Sequence, residues 1–206
     1  MASVCGRPFL AFVLDQLADG GFTTIDLATG YRHDAIRSYF GADYRGLALR
    51  YSVESEPLGT GGAIRLACGH IGGHDVFVLN GDTYLELDFR AMLAAHAGAA
   101  AELTVAIRHV PDVARYGTLE LSDDRVQAFL EKGRSGPGWI NAGTYILGPK
   151  LRARLRPHGA FSFEQDLLVP ETSSIRPLAF RSSGRFIDIG TPEDYVRAQT
   201  LFRPAE

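Results

Sequence analysis

The 206-residue chain predicts an α/β domain with a mixed, mainly parallel sheet flanked by helices. Apolar runs of strand length alternate with amphipathic stretches through its first half, a Gly-rich turn joins a strand to a helix at residues 53–64, and the carboxylates Asp82 and Asp188 close apolar strands.

In chain order, Pro8 at a first helical position followed by Phe9, Leu10, Phe12, Val13, Leu14 and Leu17 reads as a helix start with an apolar face. No strand is read ahead of it, although an alternating α/β domain is expected to open with a strand and a phosphate-facing loop. TTIDLATGY (23–31) reads as a buried strand, DAIRSYF (34–40) as a short helix and LALRYSVE (47–54) as a strand. Thr60 to Cys68 reads as a helix leaving the Gly-rich turn. DVFVLNGD (75–82) reads as a strand ending in polar residues, and DFRAMLAAHAG (88–98) as a helix capped by Asp88.

From ELTVAIRHV (102–110) onward the pattern changes: GTLELSDD, RVQAFLEK and WINAGTYILG read as consecutive strands, so an antiparallel or mixed portion is expected. In FSFEQDLLVP (161–170), Glu164 and Asp166 read as first-turn acids of a helix whose apolar face includes Leu167 and Leu168. FRSSGRFIDIG resembles a strand pair around Ser183-Gly184, and TPEDYVRAQTLF a closing helix with Thr191 as N-cap and Pro192 at its first position. With no repeat or low-complexity linker, residues 1–206 read as a single domain.

A hydrophobic content of 46% and a formal net charge of -3 describe an ordinary globular chain. The absence of a basic excess argues against nucleic acid as the main partner. No apolar stretch approaches a membrane span and the first residues lack the regions of a signal peptide, so the expected address is the cytoplasm. Cys5 and Cys68, without ligand-spaced neighbours, read as free buried thiols. Of 21 basic residues only Lys132 and Lys150 are Lys.

Ligands of open α/β sheets bind beyond the carboxyl ends of the strands, so polar residues there carry weight. Asp82 and Asp188 each fit a helix cap or turn; together they fit a Mg²⁺ site, because that cation takes one or two carboxylates plus substrate phosphates. Gly59, Gly61 and Gly62 fit either a tight turn or a close approach of ligand to backbone. Glu54 or Glu56 adds a carboxylate suited to the adjacent N–H and NH₂ donors of a guanine edge, and also to the single N–H of uracil. Gly117, Glu131 and Asn141 fit the hydroxyls of a sugar and Lys132 its phosphate, although Glu131 and Lys132 also fit a solvated strand end.

The ordered stretches EPLGTGGA, VLNGD, RYG, EK followed by NAG, and DIGTPEDY resemble the sugar-1-phosphate nucleotidyltransferases. Within that family the chain is most similar to the D-glycero-D-manno-heptose 1-phosphate and mannose-1-phosphate guanylyltransferases. The resemblance covers essentially the whole chain and implies a Rossmann-like nucleotidyltransferase fold. It also implies that a sugar phosphate oxygen attacks the α-phosphorus of a nucleoside triphosphate, with pyrophosphate leaving. Asp82 and Asp188 match the family's metal-binding aspartates, with Mg²⁺ as cofactor, and Asp82, Lys132 and Asp188 are the implied catalytic residues. Glu54, Gly59, Gly62 and Asp82 match its nucleotide site, and Gly117, Glu131, Lys132, Asn141 and Gly143 its sugar-phosphate pocket.

The chain departs from the family pattern at its opening. Members begin with a strand and a G-x-G-T-R-L loop that wraps the triphosphate, then a P-K-P segment and a short G-R-P or G-K-P turn. Here CGRPFL matches that last turn with five residues before Gly6. The expectation is an N-terminally shortened member lacking its first strand, prone to self-association through exposed sheet edges. A non-catalytic sugar-phosphate or sugar-nucleotide binder and uridylyl transfer stay open as alternatives. A glycosyltransferase ranks below them, because NGDTY supplies no D-x-D pair.

Overall fold

The computed structural model describes residues 1–130, 133–156 and 158–203. A two-residue ribbon, β1 (Ser3–Val4) and β2 (Arg7–Pro8), leads into helix α1 (Phe9–Asp19). Cys5 lies exposed in that ribbon's turn and Cys68 is half-buried; both are free thiols, so the expectation of burial fails for Cys5. Its turn position at φ 46° accounts for the exposure. In α1 the buried side chains Phe9, Val13, Leu14 and Leu17 recur at helical spacing and form the core-facing stripe.

Strand β3 (Thr24–Thr29), helix α2 (His33–Phe40), and strands β4 (Asp43–Tyr44) and β5 (Leu47–Val53) follow, and β5 lies between β3 and β4 in a three-stranded sheet. Helix α3 (Gly59–Cys68), strands β6 (Val76–Leu79) and β7 (Thr83–Leu85), and helix α4 (Phe89–Gly98) come next. The side chain of Asp88 caps α4 by accepting from Ala91 N at 2.9 Å, as the sequence predicts.

The second half supplies β8 (Leu103–Val110), β9 (Thr118–Ser122), β10 (Arg125–Leu130) and β11 (Gly138–Leu147). After them come a short helix α5 (Pro149–Arg152), a π-helical turn over Glu164–Leu168, helix α6 (Val169–Ile175), strands β12 (Leu178–Ser182) and β13 (Phe186–Asp188), and the closing helix α7 (Pro192–Leu201). One six-stranded sheet runs in the order β6-β11-β8-β12-β10-β9, and β11 also meets β9 where Ile140 pairs Thr118.

The α/β class is therefore as predicted, but the balance of the sheets is not. Parallel ladders join β3 to β5 and β8 to β12, while the other ladders are antiparallel. The reason is β11, which runs antiparallel to both β6 and β8 in the larger sheet. Among the described residues β3 is laddered only by β5, and β6 only by β11 on one of its edges. Ile25, Leu27, Phe77 and Leu79 of these two strands pack on one apolar cluster with α1. Thr29 Oγ1, at the end of β3, is buried without a hydrogen-bond partner.

Two local readings need correction. The strand read over 75–82 stops at Leu79, and Asn80 to Asp82 form a turn into β7. The strand pair read around Ser183-Gly184 is absent: β12 pairs β8 and β10, whereas β13 pairs β7. A Cβ on Gly184 would lie 2.1 Å from Glu86 O, so the glycine admits a crossing strand end instead of a hairpin. No helix among the described residues is long and apolar enough to cross a membrane.

The core is built mainly on the larger sheet, where Leu103, Val105, Ile107, Leu147 and Phe163 are at most 2% exposed. Each such side chain contributes roughly 1.5–3 kcal/mol by burial. His96 on α4 is 2% exposed, with Nδ1 2.7 Å from Thr104 Oγ1. Burial pushes its pKa down against the opposing pull of Asp75. Because the unfolded chain then binds the proton more readily than the folded one, stability is full above the unfolded value of about 6.5 and falls with acidification. Thermal melts are expected to show Tm dropping as pH falls from 7.5 towards 5. His96→Gln should flatten that dependence, and an unchanged slope would exclude His96 as its source.

Candidate active site

Strand β7 and strand β13 bring the two predicted aspartates together. Their antiparallel ladder pairs Leu85 with Phe186, Tyr84 with Ile187 and Thr83 with Asp188. One step further, Ile189 N donates to Asp82 O at 2.9 Å, so the backbone of Asp82 lies beside the turn carrying Asp188. Ile187 is fully buried and Tyr84 is 8% exposed, which anchors the ladder in the core while Asp82 itself is exposed. Thr83 Oγ1 donates to Asp82 Oδ1 at 3.2 Å, and Asp188 Oδ1 accepts from Gly190 N at 2.7 Å. These bonds orient two hard oxygen donors at the mouth of one short ribbon.

A second set of contacts joins this corner to β11. Asn80 N donates to Gly143 O at 2.9 Å, and Gly143 sits at φ 70°, where a Cβ would come within 2.7 Å of Asn80 Nδ2. The position therefore tolerates only glycine. The register of β11 against β8 shifts between Asn141 and Tyr145, a bulge that re-aims the side chains around Gly143. Asn141 Oδ1 accepts from Gly143 N at 3.1 Å. Its Nδ2 donates to Glu164 Oε2 at 2.8 Å and to the Tyr145 hydroxyl at 2.6 Å. Burial, reinforced by the Glu164 charge, pushes the Tyr145 phenol well above its ordinary range, so it stays a neutral hydroxyl.

Gly117 closes the opposite side. A Cβ there would lie 3.5 Å from Leu130 O and 3.7 Å from Glu164 Oε1. The structure thus gathers Gly117, Asn141 and Gly143, three of the residues that the resemblance assigns to a sugar-phosphate pocket. It adds Asn80, Tyr145 and Glu164, which sequence reasoning missed or took for a helix-turn acid. Leu130 pairs with Thr118 at the end of β10, and the predicted Glu131 and Lys132 that follow it lie outside the described residues.

The Gly-rich turn follows the carboxyl end of β5, parallel to β3. Glu54 Oε2 accepts from Leu58 N at 2.9 Å, so this side chain closes the turn. The glycines admit protein: Cβ atoms on Gly59 and Gly61 would lie 2.6 Å from Phe161 O and 2.1 Å from Phe161 Cε2. A Cβ on Gly62 would lie 2.7 Å from Leu58 Cβ. Gly61 N donates to Phe161 O at 2.9 Å, and Phe163 N to Thr60 Oγ1 at the same distance. The segment ending in Glu164 is in this way fastened to the turn.

Arg115 and Tyr116 precede Gly117. The Tyr116 ring stands edge-on to Phe186 at 5.9 Å. Its burial, with Asp194 and Asp188 close by, raises the phenol above its ordinary value. Among the described residues no three His, Cys, Asp or Glu side chains gather as a metal cage. Asp82 and Asp188 fit a hard divalent cation that completes its coordination with phosphate oxygens and water.

The family described as Nucleotidyl transferase matches residues 1–203 of the chain. The D-glycero-alpha-D-manno-heptose 1-phosphate guanylyltransferase of Aneurinibacillus thermoaerophilus is 41% identical over 199 residues, 97% of this chain and 86% of that protein. The mannose-1-phosphate guanylyltransferase of Mycobacterium tuberculosis is 31% identical over 96% of this chain, which spans 56% of that longer protein. The crystal structure of HddC from Yersinia pseudotuberculosis complexed with GMP-PN has a TM-score of 0.89 at 40% identity, covering 98% of this chain and 89% of that one.

The packing at Gly61 is directly testable. Gly61→Ala drives a methyl into the buried Phe161 ring and is expected to cost about 1–3 kcal/mol, read as a lowered Tm. Gly98→Ala, where a Cβ meets open space, should leave Tm unchanged or slightly raised. Equal behaviour of the two variants would refute the tight docking of Phe161.

Proposed function

The chain belongs to the nucleotidyl transferase family, and from that premise we propose that it joins GTP to a sugar 1-phosphate of heptose or mannose type, forming a GDP-sugar and pyrophosphate. The observation that supports this most is the convergence of Asp82 and Asp188 at the β7–β13 ribbon, bonded through Asn80 and Gly143 to the Asn141–Glu164 pair. A relative crystallised with GMP-PN supports a guanine nucleotide.

In this reading Asp82 and Asp188 hold Mg²⁺, which when bound neutralises charge on the reacting phosphates. Gly117, Asn141 and Gly143 line the sugar 1-phosphate pocket, and the family resemblance assigns Glu131 to the sugar and Lys132 to its phosphate. Glu164 and Tyr145 take both Nδ2 hydrogens of Asn141 and fix its orientation, so Asn141 offers a sugar hydroxyl the remaining lone pair of Oδ1. Glu54 and the backbone of Gly59 and Gly62 line the base site; the bond to Leu58 N leaves Glu54 one carboxylate oxygen outside the turn. The pocket residues hold the sugar phosphate oxygen in line with the α-phosphorus. The new P–O bond forms there as the bond to the pyrophosphate oxygen breaks, and positioning supplies most of the acceleration. Free thiols at Cys5 and Cys68 accord with a reducing cytoplasm as the place of reaction.

Pyrophosphate release with Mg²⁺ decides between transfer and binding. GTP with heptose 1-phosphate or mannose 1-phosphate is expected to give turnover exceeding that with UTP. Asp82→Asn or Asp188→Asn should lower kcat by about 10²-fold or more. Preference for UTP would reassign the base, and tight GDP-sugar binding without turnover would make the protein a non-catalytic binder.

A further inference from the structure

Arg115 lies in the loop between β8 and β9, two residues before the pocket-lining Gly117, yet its guanidinium reaches the start of α7. One nitrogen donates to Thr191 Oγ1 at 2.8 Å and to Asp194 Oδ2. Asp194 is 3% exposed in its side chain, a buried carboxylate that needs compensation, and Arg197 meets its other oxygen at 3.1 Å. The helix start does not need Arg115: Thr191 already accepts from Asp194 N at 3.3 Å, and Pro192 and Glu193 complete the first turn. What Arg115 adds is a link between two elements far apart in sequence. The next residue, Tyr116, packs on Phe186, two positions before Asp188, and Gly117 follows next to Glu164. Three consecutive residues therefore touch the helix after Asp188, the strand before it and the sugar-phosphate pocket.

We propose that Arg115 is a positioning residue: its bridge to Asp194 and Thr191 sets the separation between the Gly117 wall and the Asp188 turn, and so aligns a sugar 1-phosphate with the nucleotide. The proposal rests on the nucleotidyl transfer reading. Without that bridge the loop keeps hydrogen bonds to the neighbouring loop, between Val113 N and Gly136 O at 2.9 Å and between Gly136 N and Asp112 Oδ1 at 3.1 Å, and meets the aspartate-bearing side through the Tyr116–Phe186 ring contact, which carries no directional polar bond. Lysine cannot replace the bridge fully, because Nη2 serves Thr191 and Asp194 while Nη1 lies 3.8 Å from Glu193, a spread that one compact ammonium on a flexible stem does not reproduce.

The test compares wild type with Arg115→Met, Arg115→Lys, Asp194→Asn and the double variant Arg115→Met/Asp194→Asn. Pyrophosphate release gives KM for GTP and for mannose 1-phosphate separately, and calorimetry gives mannose 1-phosphate affinity without turnover. Arg115 is 42% exposed and Arg197 still compensates Asp194 in its absence, so Arg115→Met should keep the wild-type melt within a few degrees even if Asp194→Asn does not fold. The expected result is a rise in KM for mannose 1-phosphate of about tenfold in Arg115→Met, less in Arg115→Lys, with KM for GTP changed by less than about twofold. The double variant should be no worse than Asp194→Asn alone. Parallel loss of both substrates, or additive effects, would overturn the positioning role and leave a purely structural ion pair. A wild type that binds mannose 1-phosphate without turnover overturns the transfer reading alone, and unchanged affinity in Arg115→Met then overturns the positioning role as well. Where the wild type is silent with mannose 1-phosphate the same variants are measured with heptose 1-phosphate, and a wild type that neither binds nor turns over either sugar phosphate overturns both.

Discussion

The site depends on the short ladder between β7 and β13. Three residue pairs, from Leu85–Phe186 to Thr83–Asp188, are continued by the bond from Ile189 N to Asp82 O. A ladder this short is marginal by itself. It persists because Tyr84, Leu85 and Ile187 point into apolar clusters that also take side chains from α1, α4 and the larger sheet. Core burial thereby fixes the relation of two exposed or half-exposed carboxylates that are distant in sequence. Rigid elements hold this corner, and polar residues occupy the turns that leave them.

Glycine does two separate jobs around that corner. Gly143 supplies a positive φ at the bulge of β11, which lets Asn80 press against the backbone and Asn141 turn to Glu164. Gly59, Gly61 and Gly62 instead make room for protein, seating Phe161 and Leu58 where side chains would stand. The consequence is structural coupling: the segment that ends in Glu164 is packed against the turn leaving β5, so the proposed base and sugar walls share one anchor.

Much of the fold was legible in the sequence because each element carries its own periodicity or cap. The apolar spacing of α1, the Asp88 and Thr191 caps and the consecutive strands of the second half all appear as read. Legibility failed where a distant residue decides the local structure. Nothing near Ser183-Gly184 tells that Glu86 O fills the space beside Gly184, so a crossing looks like a hairpin. Nothing near Leu79 tells that its partner strand is irregular between Asn141 and Tyr145, where the ladder with β6 stops. The balance of parallel and antiparallel ladders was hidden for the same reason, since β11's neighbours are a matter of tertiary pairing. In the site, Asp82, Asp188, Gly117 and Asn141 stood out through residue type at strand ends and turns. Glu164 did not, because a first-turn acid and a pocket carboxylate have the same sequence signature, and only its bond to Asn141 separates them.

Mn²⁺ titration followed by electron paramagnetic resonance, with and without GDP-mannose, bears most directly on the proposal that Asp82 and Asp188 form one cation site. A shared site gives one Mn²⁺ per chain, tightened by the nucleotide sugar, with Asp82→Asn and Asp188→Asn each abolishing it to the same extent. Retained binding in either variant, or a loss in one alone, would contradict a shared site.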